Sequence, residues 1–293
     1  MDLTIDAPDF ELAKTLNSGQ VFHWQANGGG YYGLIGDRPV FVRQEGSTLS
    51  AKVASAGGPW GKDHRRAVDA TATIRHYFAL DHKLTEICRS FPKDSIMDAA
   101  ADYCRGLRII RQPKWECLAT FICSSMKQVA HIRQISHALR REFGEPRQIG
   151  NRTLHTFPTA ERISDVSEKQ LRECALGYRA KNLLMTAQKV ASGETEIEQW
   201  SELSDTELRN HLCDLPGVGS KVANCVMLFA YERLRAFPID VWIERVLRER
   251  YFARKRKPTT AKLRQFSAEY FGEHGGYAQQ YLFHHARMGS LKR

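Results

Sequence analysis

The hydrophobic pattern of this chain changes once, at about residue 70, and that change limits the fold class. Before it, three stretches are rich in aromatic and β-branched residues: "QVFHWQ", "YYGLIGDRPVFVRQE" and "TLSAKVA". Turns are predicted at "NGGG" (27–30) and "GDRP" (36–39), where glycine and proline interrupt the pattern. We therefore predict an antiparallel sheet that needs cover on one face.

After residue 70 the apolar residues recur with the 3.6-residue period of amphipathic helices. Helices are predicted in "SIMDAAADYCRGL", "WECLATFICSSM" and "QVAHIRQISHALRREFG", and further ones follow to the end of the chain. Several of them stop at a glycine, as helix C-termini commonly do, at Gly144, Gly177 and Gly193. The fold class is therefore α+β, a sheet followed by a mostly helical region with short connections.

The charge balance points to a polyanionic partner. Among 293 residues there are 43 Lys and Arg against 33 Asp and Glu, a formal net charge of +10. An excess of this size favours nucleic acid over a membrane surface, although a merely basic protein stays an alternative. No run of 18 apolar residues and no signal peptide are evident, so we expect no membrane attachment.

Cysteine usage indicates the compartment. The seven cysteines are odd in number and form no C-x-x-C pair, so a disulfide framework is not expected and a reducing, intracellular environment is. That would be the cytoplasm or nucleoid of a bacterium or the nucleus of a eukaryote. No cysteine follows Cys225, which argues against a four-cysteine iron–sulfur cluster in the C-terminal part.

The stretch "LCDLPGVGSKVANCVMLFA" (212–230) predicts two helices joined by a tight turn. An apolar stripe of Leu208, Leu212 and Leu215 precedes the turn. Gly217 and Gly219 permit unusual φ angles, and Ser220 is a candidate cap for the second helix. A turn with so few side chains lets a phosphate approach the helix N-terminus. A DNA-binding hairpin is therefore favoured over a purely structural one.

Lys221 falls in the first turn of the second helix. The positive end of the helix dipole disfavours an ammonium group there, and partial burial would lower the pKa of a lysine further. A lysine in that state is a nucleophile that can form a Schiff base with a sugar aldehyde. A solvated charge or a phosphate contact is the commoner role for such a lysine, so all three remain open at this point.

Asp240 is the carboxylate of the apolar stretch "FPIDVWIERVLRERYF" (237–252), at the start of a predicted helix. It can cap that helix, and it can stabilise a developing positive charge. Cleavage of an N-glycosidic bond passes through an oxocarbenium-like state that a nearby carboxylate stabilises. The two roles are compatible, because a cap holds the carboxylate in one place.

The hairpin with "LPGVGSK" and the following "FPIDV" resemble the helix-hairpin-helix DNA glycosylases. Five further blocks, in order, resemble the 8-oxoguanine DNA glycosylase family: "LNSGQVFHW" (16–24), "YFALD" (77–81), "GLRIIRQPKWECLATFICSS" (106–125), "LGYRAK" (176–181) and "GGYAQQYLF" (275–283). The resemblance implies a TATA-binding-protein-like antiparallel sheet domain, residues 1–110, packed on a helix-hairpin-helix glycosylase domain, residues 111–293. It implies a bifunctional glycosylase and β-elimination lyase that flips oxidised guanine out of double-stranded DNA.

The resemblance also assigns roles around the base. Lys221 would be the Schiff-base nucleophile, and Asp240 would stabilise the sugar cation. The carbonyl of Gly19 would read the N7–H that 8-oxoguanine has and guanine lacks. Gln279 would contact the pairing edge of the base, and Phe283 and Cys225 would lie against its two faces. Without the resemblance, Phe283 and Cys225 would be interpreted as core residues, Gln279 as a surface residue and Gly19 as a turn residue.

On the DNA side, the resemblance makes Tyr178 a wedge beside the extruded nucleotide and Arg179 a contact to the opposite base. Gly217 and Gly219 would face a phosphate. A structural monovalent cation would be held by the backbone carbonyls of Cys213, Leu215 and Val218. No cofactor is implied for catalysis, and the protein is expected to act as a monomer.

Four positions depart from the family pattern, and one of them is His23, which stands where an arginine is common. Met126 stands where an asparagine normally bonds the unpaired cytosine, and His131 replaces an arginine that reads the same base. Methionine fills a stack but offers no paired donor and acceptor, so we expect relaxed selectivity for the opposite base. Trp242 replaces a phosphate-binding histidine, and either a phosphate contact or a core role is open to it.

Two alternatives remain beside this interpretation. A related glycosylase for alkylated bases would share the hairpin and the aspartate but usually lacks the lysine. A catalytically silent DNA-binding module would need no carboxylate near phosphate. Lys221 together with Asp240 disfavours both. The sequence leaves open whether formamidopyrimidines are also substrates, and what the basic run at residues 254–257 does.

Overall fold

The computed structural model describes residues 1–54, 64–252 and 258–290. The basic run at 254–257 lies outside these residues. The predicted N-terminal sheet is confirmed, with five antiparallel strands in the order β1-β5-β4-β3-β2. The strands are β1 Asp2–Asp6, β2 Gln25–Asn27, β3 Gly30–Ile35, β4 Arg38–Glu45 and β5 Thr48–Val53. The hairpins lie at the two predicted turns and at Gly46.

Two features of this region differ from the prediction. Strand β1 was not predicted, and it pairs with β5 so that Ile5 faces Leu49. The predicted strand "QVFHWQ" is wrong up to Trp24, because only Gln25 belongs to β2. Val21 and Trp24 are buried in the core beneath the sheet, whereas Phe22 is buried in the helical core. This segment therefore connects the two cores as a loop without joining the sheet.

The predicted helical region is confirmed as well. The helices are α1 Leu12–Asn17, α2 His64–Tyr77, α3 Leu84–Arg89, α4 Ser95–Tyr103, α5 Lys114–Cys123, α6 Val129–Phe143, α7 Ala160–Ser164, α8 Glu168–Leu171, α9 Arg179–Ala191, α10 Asp205–Cys213, α11 Ser220–Ala230, α12 Val241–Val246, α13 Thr260–Phe271 and α14 Gly275–Ser290. Short π-helical turns extend α8 and α12, at Arg172–Leu176 and Leu247–Tyr251. None of the described helices has both the length and the apolar character that a membrane span requires.

A small hairpin also went unpredicted. Strands β6 Pro146–Ile149 and β7 Arg152–His155 pair with each other, and Ile149 and Leu154 pack against Leu34 of β3. The predicted division after residue 110 stays a prediction. The core of the helical region includes buried side chains of α3 and α4, which precede that position.

A buried polar cluster joins the sheet to the helices. Arg140 of α6 pairs with Glu116 of α5, and the His23 ring lies 3.3 Å from the same carboxylate. His23 also contacts the Leu34 carbonyl at 2.9 Å. Burial and the Arg140 charge lower the pKa of His23. Burial raises the pKa of Glu116, but the charges of Arg140 and His23 outweigh it and bring that pKa to about 2.

Candidate active site

The helical hairpin is formed by α10 and α11, as predicted. Ser204 caps α10 in a reciprocal capping box with Glu207, and the predicted stripe of Leu208, Leu212 and Leu215 is buried. Gly217 needs its glycine, because its φ is +80° and a Cβ would lie 2.8 Å from Asn182. Gly219 does not, since its φ of −94° is open to any residue.

The start of α11 differs from the prediction. Its N-cap is Gly219, not Ser220, and no side chain caps it. A Cβ at Gly219 would meet nothing within 4 Å. The first amides of α11 therefore face an open surface, a geometry that suits a phosphate oxygen.

The three carbonyls proposed for a cation surround this turn. The Leu215 carbonyl accepts the amide of Val218 at 3.1 Å. In the part of the chain that the structure describes, the carbonyls of Cys213 and Val218 have no hydrogen-bond partner. Unused carbonyls fit a monovalent cation. Across all the residues that the structure describes, no group of three or more His, Cys, Asp or Glu side chains could hold a metal ion.

Lys221 is half-buried at the start of α11. Its Nζ donates to the hydroxyl of Ser124 at 2.9 Å and lies 5.3 Å from the centre of the Phe121 ring. Both partners belong to the C-terminal end of α5, the negative end of that helix dipole. The lysine therefore points inward between two helices, so it is not a solvated surface charge.

Asp240 is the N-cap of α12. One carboxylate oxygen, Oδ1, accepts the amides of Trp242 at 3.1 Å and Ile243 at 2.9 Å. Burial raises the pKa of Asp240, while the amide of Ile243 and the charge of Lys221 lower it to a smaller extent. The cap holds the carboxylate rigidly near the ammonium group, as the sequence suggested.

Cys225 lies one helical turn after Lys221 and is buried. Burial raises the pKa of its thiol to about 11, with an opposing effect of Lys221 and a reinforcing one of Asp240. The thiol is therefore neutral at physiological pH. The charges of Lys221 and Asp240 both affect the Cys225 thiol, and that of Lys221 affects Asp240, so the three side chains lie near one another.

A second group of predicted residues meets between α14 and the loop after α1. Gly19 has a φ of +86°, and a Cβ there would lie 3.0 Å from the Phe283 ring. Gln279, four residues before Phe283 on α14, is 4% exposed, and its Oε1 is buried without a hydrogen-bond partner. Among the described residues the Gly19 carbonyl also has none. Two unused acceptors beside an aromatic ring form a site for a flat, donor-bearing ligand.

Two contacts connect this group to α11. The backbone amide of Gln112 donates to the Phe229 carbonyl of α11, and its side chain donates to the Gln20 carbonyl, both at 2.8 Å. Gly276 of α14 packs so closely on Leu228 that a Cβ would lie 2.2 Å from it. The structure thus packs the elements that carry the predicted base contacts against the C-terminal half of α11, the helix whose first turn contains Lys221.

The residues predicted to face DNA lie around the loop after α5. Met126 has a φ of +54° and is 92% exposed, and Tyr178 is 55% exposed. The Arg179 guanidinium donates to the carbonyls of Ser125 and Leu176 and lies 4.3 Å from the Tyr178 ring centre. The Arg179 side chain is thus buried, and its guanidinium is hydrogen-bonded to protein carbonyls. The predicted contact of Arg179 with the opposite base stays a prediction.

His131 and Trp242 complete the predicted set. His131 is exposed near the N-terminus of α6. Trp242 is half-buried on α12, and the Arg245 guanidinium lies 5.5 Å from its ring centre. The backbone amide of Trp242 donates to Asp240, but among the described residues neither the Trp242 side chain nor the His131 side chain hydrogen-bonds Lys221 or Asp240.

Sequence reasoning missed several residues that the structure adds to the site. Ser124, Gln112, Gln280 and Arg287 contact the predicted residues or their flanking backbone. Nothing in their local sequence sets them apart, since each is an ordinary polar residue on or near a helix. Only the unpartnered acceptors and the spatial contacts reveal them.

Family models match almost the whole chain. Residues 2–118 match the N-terminal domain of 8-oxoguanine DNA glycosylase, and residues 119–273 match the HhH-GPD superfamily of base excision DNA repair proteins. A probable N-glycosylase/DNA lyase of Methanothermobacter thermautotrophicus is 27% identical, with 99% of this chain and 97% of that protein covered. N-glycosylase/DNA lyase OGG1 of Arabidopsis thaliana is 29% identical, with coverage of 96% and 78%.

Solved structures agree. The structure of MBOgg1 in complex with a low affinity DNA ligand has a TM-score of 0.90 and 32% identity, covering 99% of this chain and 96% of the other. Clostridium acetobutylicum 8-oxoguanine glycosylase/lyase, bound to double-stranded DNA with cytosine opposite 8-oxoG, has a TM-score of 0.88 and 28% identity. Coverage is 98% of both chains.

Proposed function

The chain belongs to the 8-oxoguanine DNA glycosylase family of the HhH-GPD superfamily, and we propose that Lys221 is the nucleophile of its base excision reaction. The protein is a DNA glycosylase with AP lyase activity that acts on 8-oxoguanine in DNA repair. The observation that carries the proposal is the convergence of Lys221, Asp240 and Cys225. A half-buried ammonium group and a half-buried, capped carboxylate lie close enough to the buried, neutral thiol to influence it electrostatically.

Base recognition rests on the two unused acceptors. The Gly19 carbonyl would accept the N7–H of 8-oxoguanine and would repel the N7 lone pair of guanine. The Oε1 of Gln279 would accept donors of the base's pairing edge, and Phe283 and Cys225 would form the stacking walls. Ring-opened formamidopyrimidines keep an N–H at the same place, so we include them as substrates.

The chemistry follows from Lys221 and Asp240. The deprotonated amine attacks C1′ of the flipped nucleotide, and the C1′–N9 bond breaks with its electron pair leaving on the base, which takes up a proton. The Asp240 carboxylate stabilises the oxocarbenium character at C1′. The bonded nitrogen then loses its extra proton.

The lyase step begins from that C1′–N adduct. The nitrogen lone pair forms a C=N bond as the C1′–O4′ bond opens, and O4′ takes a proton. Removal of a proton from C2′ then expels the 3′ phosphate and breaks the strand. The iminium between these steps is the species that borohydride reduces to a stable covalent adduct.

Selectivity for the opposite base is proposed to be relaxed. Met126 and Tyr178 are exposed apolar groups that can enter a base stack, but neither offers the paired donor and acceptor that identify cytosine. The guanidinium of Arg179 is already used on two carbonyls. Single-turnover excision rates with C, A, G and T opposite the lesion test this. A strong preference for C would contradict it.

DNA backbone contacts are proposed for the hairpin. Phosphate oxygens would approach the turn at Gly217 and Gly219 and bind the uncapped amides that follow Gly219 at the start of α11. A monovalent cation on the carbonyls of Cys213, Leu215 and Val218 would add positive charge there. Trp242 can add an indole N–H to a neighbouring phosphate.

The central experiment is borohydride trapping on a duplex containing 8-oxoguanine. The parent protein should form a covalent adduct, and Lys221→Gln should form none while still binding the duplex. A silent DNA-binding module predicts no adduct and no base release from either protein. A glycosylase for alkylated bases predicts release of alkylated bases without an adduct.

A further inference from the structure

The backbone carbonyls before and after Gly19 accept hydrogen bonds from side chains, whereas the Gly19 carbonyl accepts none from the part of the chain that the structure describes. The Asn17 carbonyl accepts the Arg287 guanidinium, and the Ser18 carbonyl accepts the Gln280 side chain at 3.0 Å. The Gln20 carbonyl accepts the side chain of Gln112 at 2.8 Å. Of these four neighbouring carbonyls, only that of Gly19 lacks a partner among the described residues. Its neighbours on both sides are therefore fixed while it is left available.

The side chains that bind the carbonyls of Asn17 and Ser18, Arg287 and Gln280, both belong to α14. Gln280 is 2% exposed, so its hydrogen bond to Ser18 is shielded from water. Arg287 contacts two parts of the pocket, because its guanidinium also lies 5.6 Å from the centre of the Phe283 ring. Gln279 and Phe283 stand on the same helix, about two turns and one turn before Arg287, respectively. One helix therefore carries the base contacts and holds the loop.

A third side chain braces the loop from α6. Arg133 donates to the Asn17 side-chain oxygen at 2.9 Å and to the Leu16 carbonyl at 3.5 Å. The charges of Arg133 and Arg287 lie close enough for Arg133 to lower the pKa of Arg287. In addition, burial lowers the pKa of each arginine. Two half-buried arginines thus converge on Asn17 and hold the loop that carries Gly19.

We infer that Gln280 and Arg287 are specificity-determining positioning residues. They fix the distance between the Gly19 carbonyl and the base contacts of α14, and so set how well the protein separates 8-oxoguanine from guanine. This inference rests on the proposed function, because it assumes that Gly19 and Gln279 contact the same base. Neither Gln280 nor Arg287 is expected to touch the sugar or the reacting atoms.

The test measures binding in the Lys221→Gln background, where no chemistry occurs. Dissociation constants are compared for three duplexes with 8-oxoguanine, guanine or a tetrahydrofuran abasic analogue opposite cytosine. Gln280→Ala and Arg287→Met should each lower the preference for 8-oxoguanine over guanine about tenfold. Affinity for the abasic analogue should stay unchanged, because that duplex places no base in the pocket.

Two comparisons keep the test specific. Arg287→Lys retains a donor for the Asn17 carbonyl and should recover part of the preference. Arg141→Met, which removes an exposed arginine of α6 paired with Glu142, should behave like the parent. Equal losses on all three duplexes, or an unchanged preference in both variants, would overturn the inference. If the Lys221→Gln parent itself shows no preference for 8-oxoguanine, the proposed function fails instead.

Discussion

The Nζ atom of Lys221 lies 2.9 Å from the hydroxyl oxygen of Ser124, a residue 97 positions earlier in the chain. The Ser124 hydroxyl in turn donates to the Phe121 carbonyl at 2.7 Å. Its single proton is therefore committed, and towards the lysine it can only accept. An amine that donates one N–H to Ser124 has its lone pair directed elsewhere, so the hydroxyl would orient Lys221 in its proposed role as nucleophile.

Removing that hydroxyl should slow chemistry without weakening DNA binding. For Ser124→Ala we expect a single-turnover excision rate about tenfold lower, the effect of one hydrogen bond to a charged group. Ser124→Thr should restore most of the rate. Ser267→Ala removes a comparable buried hydroxyl, bonded to the Leu263 carbonyl at 2.8 Å, and should leave the rate unchanged. An unaltered rate in Ser124→Ala would rule out the orienting role.

Asp240→Asn separates capping from catalysis. Asparagine caps helices about as well as aspartate, so the variant should fold and bind DNA like the parent. Without the negative charge, excision should fall about a hundredfold or more. Thermal unfolding, duplex affinity and single-turnover rates are measured on the same preparation. If stability and activity fell together, Asp240 would act only as a structural helix cap, and the catalytic role would be contradicted.

The acid limb of the excision rate should reflect the same carboxylate. Burial raises the pKa of Asp240 above its ordinary value of 3.8, and catalysis needs the ionised form. The rate should therefore fall as the pH drops through a midpoint above 3.8. Because the folded-state pKa is the higher one, ionisation costs stability as pH rises. Asp240→Asn should then be at least as stable as the parent at neutral pH.

Met126→Asn should increase selectivity for cytosine. Met126 occupies a left-handed conformation at a φ of +54°, which asparagine tolerates better than methionine. The amide adds a donor and an acceptor where the parent offers neither. We expect a higher ratio of excision rates opposite C and opposite A. Met126→Leu, which adds no polar group, should leave the ratio as it was. A ratio that stays flat in both variants would place selectivity elsewhere.

Glu116→Gln should destabilise the protein at neutral pH and change its response to acid. The pKa of Glu116 is lowered from 4.5 to about 2, so its ionised form stabilises the fold above about pH 4.5. That stabilisation is lost between about pH 4.5 and 2. Leaving Arg140 unpaired should cost about 3–5 kcal/mol. Denaturant unfolding at pH 7 and pH 3 measures both effects.

A matched control for that change is available on the surface. Glu142 pairs with Arg141 in an exposed ion pair, and Glu142→Gln should alter the free energy of unfolding by less than about 1 kcal/mol. Equal effects of the two substitutions would show that the cluster around His23 contributes no more than a surface pair.

Much of the fold could be predicted because local pattern determines it. The stripe before the hairpin, the Ser204 cap and the glycine helix ends depend on neighbouring residues. Strand β1 was missed because "DLTID" is short and half polar, and it becomes a strand only by pairing with β5. The segment from Gln20 to Trp24 was misassigned because its environment comes from two cores that no local pattern reveals.

The candidate site divides in the same way. Lys221 and Asp240 could be proposed from the sequence, because their type and spacing narrow the roles open to them and the family resemblance assigns one to each. Ser124, Gln280 and Arg287 could not, since their importance comes from contacts across 97, 262 and 270 positions. The occupied state of Arg179 was likewise invisible, because its partner carbonyl lies 54 positions away.

Gly276 has a consequence for redesign. It holds α14 against Leu228 where no side chain fits, and this helix carries Gln279, Gln280, Phe283 and Arg287. Any larger residue at 276 would move the four together, changing base contacts and loop fastening at once. A library of variants meant to alter lesion preference should therefore keep Gly276 constant. It should vary the later turns of α14 one at a time.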